Sequence, residues 1–241
     1  MHDEEVMKES PLNPAHAKHG ARMEQTDGWH MPRAFRSLME EHLAARSACA
    51  IFDISHISKF SIRGNGALAW MESLFGRGIS SCHDGASARA QLLGPHGRVI
   101  DTLALMRESA GSFYMIGHAG SEEQTFSWLQ EHRSNAAIEL RNVTMEWCAM
   151  ALLGPQSHEI ISRVLRGIEL PSPRRFSRFT LQRHELILAR LELQEYPHLT
   201  TPEACEFFCP AVSGISWYES FIAAGAQPCG SAARETLRLR Y

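Results

Sequence analysis

The apolar and polar positions of the chain follow two periods, one typical of helices and one typical of strands. Phe35, Leu38, Met39 and Leu43 recur at helical spacing, so we expect a helix over residues 33–47. Polar and apolar residues alternate over residues 59–63, the pattern of a strand with one buried face. Further helices are predicted at residues 12–19, 67–76, 121–132, 154–167, 215–225 and 231–240. Strands are predicted at residues 50–55, 57–64, 88–94, 98–108, 112–117, 137–144, 147–154 and 203–210. Two more strands are predicted within residues 179–193, with a break around residues 183–184.

The order of these elements predicts the class of fold. Helices and strands do not alternate regularly, which favours an α+β fold with mostly antiparallel sheets over a doubly wound parallel sheet. The order helix, strands, helix, strands occurs in both halves, so we expect two similar mixed α/β subdomains. Residues 12–241 are assigned to the folded region, and residues 1–11 are expected to form a disordered tail. In the helix at 121–132, Ser121 and Gln124 have the spacing of a capping box.

Composition narrows the range of partners. The 241 residues are 44% hydrophobic and carry a formal net charge of -3, so a basic nucleic-acid surface is not expected. No apolar run approaches the roughly 20 residues that a membrane-spanning helix needs. The N-terminal residues lack the apolar core of a secretory signal and the Arg-rich character of a mitochondrial presequence. We therefore expect a cytoplasmic protein that binds neither nucleic acid nor membrane.

The cysteine and histidine residues do not predict a metal site. Six cysteines are dispersed along the chain, and in a cytosolic protein of this size they are expected to be buried, reduced thiols. Cys205 and Cys209 are close in sequence, but no second pair accompanies them, as a zinc site would require. The 13 histidines include no H-E-x-x-H or similar ligand spacing, so no metal is expected.

One carboxylate lies within an apolar run that follows a glycine-rich turn. In the stretch GPHGRVIDTL, residues 94–103, the turn leads into a predicted strand that contains Asp101 and then Thr102. With four other stretches in matching order and spacing, it resembles the aminomethyltransferase, or glycine cleavage T-protein, family. The four are GARMEQTDGWHMP, EEHLAARSACAIFDISHISKF, ALLGPQS and QPCGSAARETLRLR. The resemblance covers residues 11–241, whereas family chains continue into a C-terminal β-barrel domain, which we expect to be missing here.

The resemblance implies a ligand, a reaction and two binding residues. Family members bind tetrahydrofolate in a hole between three subdomains and move a one-carbon unit to it from an aminomethyl group on a lipoyl carrier protein. Glu206 matches the family glutamate that accepts hydrogen bonds from the pterin, and Arg234 matches the arginine of the G-A-R-D-T motif. The alternatives are an exposed strand residue for Glu206 and a helix-surface residue paired with Glu235 for Arg234.

The family has two consecutive aspartates in the strand after the turn, and the second is credited with catalysis. Here the first is retained as Asp101 and the second is Thr102, whose hydroxyl cannot carry a negative charge at neutral pH. Adjacent strand residues face opposite sides, so Asp101 replaces the missing acid only through a bulge or a register shift. Its alternative role is to cap a turn or pair with Arg98. Arg89 and His118 stand where the family has tyrosine and asparagine, and His118 is either a donor or acceptor at the folate site or a loop residue.

Three functions are compatible with these features. The first is one-carbon transfer from an aminomethyl donor to tetrahydrofolate, with a reduced folate and a lipoyl carrier protein as partners. The alternative is a non-catalytic folate-binding or regulatory paralogue, because Thr102 replaces the acid and the family Gly and Tyr residues near Glu206 are lost. The third is a fragment that needs a separate chain to complete the folate hole. Since a missing domain exposes apolar surface, we also expect self-association or a partner chain that covers it.

Overall fold

The computed structural model describes residues 7–79, 82–133, 136–190 and 204–238, and these form two compact units. The outer unit is built from the described residues of Met1–His56, Met145–Pro173 and Ser177–Tyr241. The inserted unit is built from those of Ile57–Thr144 and Arg174–Phe176. Both contain helices and mostly antiparallel sheet, which confirms the predicted α+β class. The units do not coincide with the two halves of the chain, because segments from both ends build the outer unit.

The outer unit contains a six-stranded and a three-stranded sheet. In spatial order, the larger sheet consists of β11 (Phe176–Leu181), β12 (His184–Arg190), β13 (Ala204–Pro210), β10 (Trp147–Leu153), β4 (Ala50–Asp53) and β14 (Gln227–Cys229). The smaller sheet consists of β1 (Lys8–Glu9), β3 (Trp29–Ala34) and β2 (Arg22–Thr26). The helices are α1 (Asn13–Lys18), α2 (Leu38–Ser47), α5 (Ser157–Val164), α6 (Gly214–Ala223) and α7 (Ser231–Arg238).

One face of the six-stranded sheet carries the core of the outer unit. Cys205, Phe207 and Cys209 occupy alternate positions of β13 and are buried in this core. The Phe207 ring packs edge to face against Trp217 and Phe221 of α6, with ring centroids 5.6 and 5.2 Å away. Because strand side chains alternate, the residues of β13 between these positions lie on the other face of the sheet.

A buried carboxylate at the end of β4 anchors the N-terminal segment. Asp53 accepts hydrogen bonds from the hydroxyl of Ser10, from Nε2 of His16 at 2.8 Å and from the backbone N–H of Ser55 at 2.8 Å. Lys8–Glu9 pairs with β3, and Ser10 is buried. The disordered tail predicted for residues 1–11 is therefore wrong for residues 8–10, because the contact with Asp53 fixes them. Residues 1–6 lie outside the described part of the chain.

The helix predicted at residues 33–47 is shorter, and an unpredicted hairpin precedes it. β2 and β3 are antiparallel and are joined at Asp27 and Gly28, which have φ values of 49° and 76°. An Asp-Gly pair with positive φ at both positions is typical of a type I′ turn. The helix α2 follows Ser37, whose hydroxyl accepts from the N–H of Glu40 while the Glu40 carboxylate accepts from the N–H of Ser37. Residues 33 and 34 belong to β3, because this capping box fixes the start of the helix.

The inserted unit is a five-stranded antiparallel sheet with two helices packed on one face. In spatial order, its strands are β6 (Ala86–Leu93), β7 (Val99–Ser109), β8 (Ser112–Gly117), β5 (Ser58–Arg63) and β9 (Glu139–Asn142). The helices are α3 (Ala67–Phe75) and α4 (Glu122–Glu131). Leu103 and Leu105 of β7 pack with Trp70 of α3 and Leu129 of α4 in one core. We call this side of the sheet the helix-covered face and the other side the second face.

The helix at residues 121–132 and the strands that flank it are confirmed, but its predicted capping box is wrong. Ser121 precedes α4 without a hydrogen bond from its side chain to the helix, and its backbone has φ −105° and ψ 0°. A capping side chain requires an extended backbone at this position, so Ser121 cannot reach the free N–H groups of the first turn.

The environment of the cysteines agrees with the predicted buried thiols. Five of the six are buried and Cys82 is half-buried, and all six are reduced. Burial raises the pKa of the Cys148 and Cys229 thiols, which keeps them protonated and unreactive. Among the helices of the described residues, none has both the length and the apolar character that crossing a membrane requires.

We expect Asp53→Asn to remove an acid-sensitive part of the free energy of unfolding. Burial raises the pKa of Asp53, but hydrogen bonds and charge from His16, with hydrogen bonds from Ser10 and Ser55, lower it to about 2, from an ordinary value of 3.8. A carboxyl with a lowered folded-state pKa stabilises the fold above its unfolded pKa, and this contribution, here about 2 kcal/mol, is lost as the pH falls towards the folded pKa. Urea unfolding from about pH 6 to pH 2 should show the two proteins converging by that amount as acid is added.

The matched control is Asp27→Asn. Asp27 is exposed in the β2–β3 turn, and asparagine tolerates its positive φ. Its difference from the wild type should not change with pH over the same range. A constant difference between wild type and Asp53→Asn down to pH 2 would contradict the role given to the Asp53 charge.

Candidate functional site

The alternation of β7 decides which of its polar side chains reach each face of the sheet. Asp101 and Leu103 are buried on the helix-covered face, whereas Thr102 and Ala104 lie on the second face and are half-buried. The β6–β7 ladder contains an irregularity just before Asp101 and is regular beyond it. This bulge therefore does not turn Asp101 towards the second face, and Asp101 does not take the position expected for the acid at residue 102.

The carboxylate of Asp101 is enclosed by hydrogen-bond donors. It accepts from the backbone N–H of Thr102 at 2.7 Å, from Nδ1 of His118 at 2.7 Å and from the hydroxyl of Thr125 at 3.3 Å. The backbone N–H of His118 lies 3.3 Å from the second carboxylate oxygen. The backbone N–H groups of Thr102 and His118 can only donate, so the carboxylate accepts from both of them. The alternative partner considered for Asp101, Arg98, is not among these contacts, all of which lie within the described residues.

Gly117 leaves the space that the Asp101 carboxylate occupies. A Cβ atom at this position would lie 2.3 Å from Oδ2 of Asp101, 2.6 Å from Leu103 and 2.8 Å from the hydroxyl of Ser58. Within the described residues, the buried Ser58 hydroxyl has no hydrogen-bond partner. The glycine at the end of β8 is thus required by a close approach of side chains from two neighbouring strands.

His118 follows β8 directly and extends the polar cluster towards the surface. Its side chain is 58% exposed, whereas that of Asp101 is fully buried. Its Nδ1 and the N–H of Thr102 contact the same oxygen of Asp101. The imidazole therefore lies beside the backbone of Thr102, and this is the closest grouping of predicted site residues in the inserted unit.

Arg89 and Thr102 lie on neighbouring strands and share the second face. Thr102 is opposite Gln91 in the β6–β7 ladder, and Arg89 is opposite Ala104. Because residues at odd positions of this stretch of β6 project to the same side, Arg89 is one diagonal step from Thr102. Arg89 is exposed and Thr102 is half-buried. The second face thus combines a cationic side chain with a hydroxyl at the position predicted for the acid.

Glu206 is the polar residue of an otherwise apolar stretch of β13. It lies between Cys205 and Phe207, which are buried in the core, and is itself half-buried on the other face of the sheet. Its cross-strand neighbours are Ala151 on β10 and Ala189 on β12. Since alanine side chains end at Cβ, neither neighbour covers the Glu206 carboxylate from the side.

Arg234 lies in the first turn of α7 and is half-buried. Its N–H donates to the carbonyl of Gly230 at 3.3 Å, and the N–H of Gly230 donates to the buried carboxylate of Glu41 at 2.8 Å. The start of the helix is therefore held by Glu41. Glu235, the partner considered for Arg234 as a surface residue, is paired with Arg238 at 3.3 Å.

Comparison with known proteins identifies the family. The model of the GCVT N-terminal domain family matches residues 12–240. The chain belongs to this family. Among curated relatives, it is 29% identical over 237 residues to an aminomethyltransferase of Geobacillus thermodenitrificans and 32% identical over 240 residues to one of Chlorobium luteolum. Each alignment covers 97% of this chain and 64% of the relative, so the chain spans less than two-thirds of their length.

Solved structures share the fold of this GCVT N-terminal domain. The crystal structure of glycine cleavage system aminomethyltransferase T from Bartonella henselae has a TM-score of 0.85 at 22% identity, over 96% of this chain and 62% of that one. A chain of the heterotetrameric sarcosine oxidase from Corynebacterium sp. U-96 has a TM-score of 0.52 at 11% identity, over 79% of this chain and 93% of that one. At these identities, the likeness establishes the fold alone.

In this GCVT N-terminal domain, the predicted site residues fall into two groups. Asp101, Thr102 and His118 form one cluster in the inserted unit, with Arg89 on the adjacent strand, whereas Glu206 and Arg234 lie on separate elements of the outer unit. Sequence reasoning missed three residues around Asp101, namely Ser58, Gly117 and Thr125. Gly117 carried a usable signal, because a glycine that ends an apolar strand often marks a close approach. In the described ranges, no three His, Cys, Asp or Glu side chains are grouped so that they could hold a metal ion.

We expect Gly117→Ala to destabilise the inserted unit and disturb the Asp101 cluster. The added methyl group would overlap the Asp101 carboxylate and Leu103, and insertion of a methyl group into a packed core costs about 2 kcal/mol. Urea unfolding should show this loss. The control is Gly78→Ala, because a Cβ at Gly78 meets no atom within 4 Å and its stability should change by less than about 0.5 kcal/mol. Equal stabilities of the two variants would contradict the close packing inferred at Gly117.

Proposed function

We propose that this chain binds a reduced folate and takes part in one-carbon transfer from an aminomethyl donor to tetrahydrofolate. Membership of the GCVT N-terminal domain family and similarity to curated aminomethyltransferases support the proposal. The donor proposed is an aminomethyl group on a lipoyl carrier protein, as in glycine cleavage. Because the chain spans 64% of those relatives, the activity of the whole relative is a proposal for this chain.

The observation that carries the proposal is the Glu206 carboxylate in the middle of β13. Glu206 matches the family glutamate that binds the pterin, and its side chain lies on the face of β13 opposite the core. Two adjacent N–H donors, such as the amino group and ring N–H of a pterin, suit the two oxygens of a carboxylate. Arg234 has the planar donor set that would orient an acidic group or a carbonyl of the same ligand. Tetrahydrofolate supplies the nitrogen nucleophiles that accept the one-carbon unit.

A second candidate function is folate binding without turnover. It is favoured by Thr102, which stands on the second face where the resemblance predicts the working acid, while Asp101 is turned into the core. Thr102 can donate or accept a hydrogen bond but cannot hold charge or take up a proton at neutral pH. Carboxylate-based stabilisation of developing positive charge is thus absent from residues 101 and 102 on this face.

The proposed partners follow from the same family membership. They are a reduced folate, a lipoyl carrier protein and a second copy of this chain or a partner chain. We propose a cytoplasmic location for the protein.

We expect Glu206→Gln to weaken binding of tetrahydrofolate by about tenfold or more. Glutamine keeps the size of the side chain but replaces one acceptor oxygen by a donor, so a charge-assisted pair of hydrogen bonds worth about 1.5–3 kcal/mol is lost. Isothermal titration calorimetry under anaerobic conditions measures the change in Kd.

The control for this titration is Glu159→Gln. Glu159 is exposed on α5 and pairs with Arg163 one helical turn away, so its charge is removed without any change in β13. Its Kd should equal that of the wild type. A wild type that shows neither heat nor a thermal shift with near-millimolar tetrahydrofolate would exclude both folate functions.

We expect Thr102→Asp to separate the catalytic from the non-catalytic function. If the site has lost only its acid, restoring the carboxylate should increase tetrahydrofolate-dependent ammonia release from an aminomethylated lipoyl carrier protein by about a hundredfold, a typical contribution of one acid–base group. Ammonia release by single-turnover assay measures the change.

Thr102→Asn is the matched control, since it has the shape of aspartate without its charge. It should release no more ammonia than the wild type. If Thr102→Asp and Thr102→Asn are equally inactive while both bind tetrahydrofolate, the loss of one acid does not explain the absence of turnover. Ammonia release by the wild type itself would instead exclude the non-catalytic function.

A further inference from the structure

The hydrogen-bond pattern around Asp101 fixes the state of the His118 ring. Asp101 accepts hydrogen bonds from the backbone N–H groups of Thr102 and His118 and from the hydroxyl of Thr125, and an ionised carboxylate carries no hydrogen to donate. The hydrogen between Oδ1 of Asp101 and Nδ1 of His118, 2.7 Å apart, therefore belongs to Nδ1. In the neutral ring, this leaves Nε2 as the acceptor.

The His118 ring lies close to the backbone of Thr102. Nδ1 of His118 and the N–H of Thr102 are each 2.7 Å from the same oxygen of Asp101, so these two nitrogens are separated by less than twice that distance. The ring is 58% exposed, whereas the carboxylate that holds it has no exposed surface. An oriented, accessible imidazole thus lies beside the backbone of Thr102.

The carboxylate that orients the ring is itself held rigidly. Four hydrogen bonds reach it from β7, from α4 and from the residue after β8. Gly117 provides the space for it, since a Cβ there would lie 2.3 Å from Oδ2. A buried carboxylate that fixes the tautomer and the direction of an exposed histidine is the arrangement by which proteins give one ring nitrogen a defined role.

We propose that Asp101 and His118 form a dyad in which the buried carboxylate directs the imidazole so that Nε2 accepts a hydrogen bond from an N–H of a reduced folate. His118 is the ligand-contacting residue and Asp101 the positioning residue. The inference rests on the proposed function, because it names a reduced folate as the ligand. Only the neutral ring can accept at Nε2, so ligand binding is linked to loss of a proton from His118.

Other charged groups near the dyad have partners of their own or lie on a different face. Lys59 of β5 is buried and its ammonium donates to the carbonyl of Ile57 at 2.7 Å. Glu122 of α4 is buried and accepts from Asn142 at 2.8 Å. Arg89 of β6 is exposed on the second face. The Asp101 carboxylate is in direct contact with the His118 ring, with Oδ1 2.7 Å from Nδ1.

The first test determines the tautomer without any ligand. Nitrogen-15 NMR of the imidazole groups, with His118 assigned through His118→Asn, should show hydrogen on Nδ1 of the neutral His118 ring. In the Asp101→Asn variant, the asparagine amide can donate a hydrogen bond to Nδ1 of His118. The hydrogen of the neutral His118 ring should then be found on Nε2 in some or all of the molecules. A wild-type ring with hydrogen on Nε2 would overturn the proposal even if Asp101→Asn failed to fold.

The second test measures the proton linkage of tetrahydrofolate binding by calorimetry between about pH 5.5 and pH 8. The Kd of the wild type should rise as the pH falls. Once the His118 ring is mostly protonated, the Kd should rise about tenfold for each further pH unit. His118→Asn keeps a hydrogen-bonding side chain that does not titrate, so the part of the pH dependence due to the ring should disappear. His96→Asn is the matched control: His96 is exposed in the β6–β7 turn, has a φ of 61° that asparagine tolerates, and should retain the wild-type profile.

The outcomes separate this inference from the proposed function. Tetrahydrofolate binding whose pH dependence is the same in wild type and His118→Asn would overturn the dyad and leave folate binding intact. Absence of binding by the wild type at near-millimolar tetrahydrofolate would overturn the proposed function and the dyad with it. A pH dependence lost in His118→Asn and retained in His96→Asn, with hydrogen on Nδ1 in the free protein, is the expected result.

Discussion

Two neighbouring residues of an extended strand cannot present their side chains to the same side of a sheet, and the candidate site depends on this constraint at β7. Leu103 and Leu105 are buried in the hydrophobic core on one face of the strand. Asp101 lies on the same face because it is two residues from Leu103. Thr102 is out of phase and lies on the second face. A register shift that exchanged the two would expose both leucines, so the assignment of Asp101 to the interior is enforced by the burial of its neighbours.

Once Asp101 is committed to the interior, its charge has to be matched by donors from within the unit. The backbone of Thr102, the hydroxyl of Thr125 and the ring of His118 provide them. His118 differs from the others because its side chain continues to the surface. A buried negative charge is thereby connected to an exposed group whose protonation can change.

The class of fold and most strands could be predicted from the sequence. Polar and apolar side chains alternate along a strand with one buried face, and the turns between strands contain glycine or proline. The β2–β3 hairpin was not predicted, although Asp27-Gly28 is a strong turn signal, because the apolar pattern of the following helix extended into residues 33–34. The candidate residues were found by resemblance, but their grouping was not. Contacts between Asp101, His118 and Thr125 join β7, the end of β8 and α4, and no local pattern encodes such an arrangement.

The outer unit is assembled from segments that are distant along the chain. β4 pairs with β10 and β14, and β10 pairs with β4 and β13, so neither strand has both neighbours until Ala204–Pro210 and Gln227–Cys229 are available. All strands of the inserted unit lie between Ser58 and Asn142, and they can pair with one another earlier during synthesis. During that interval, β4 and β10 can pair with each other, but the outer edge of each strand has unpaired N–H and C=O groups. These edges can pair with strands of other nascent chains. The central strands of the outer unit therefore each depend on a C-terminal segment for one of their two neighbours.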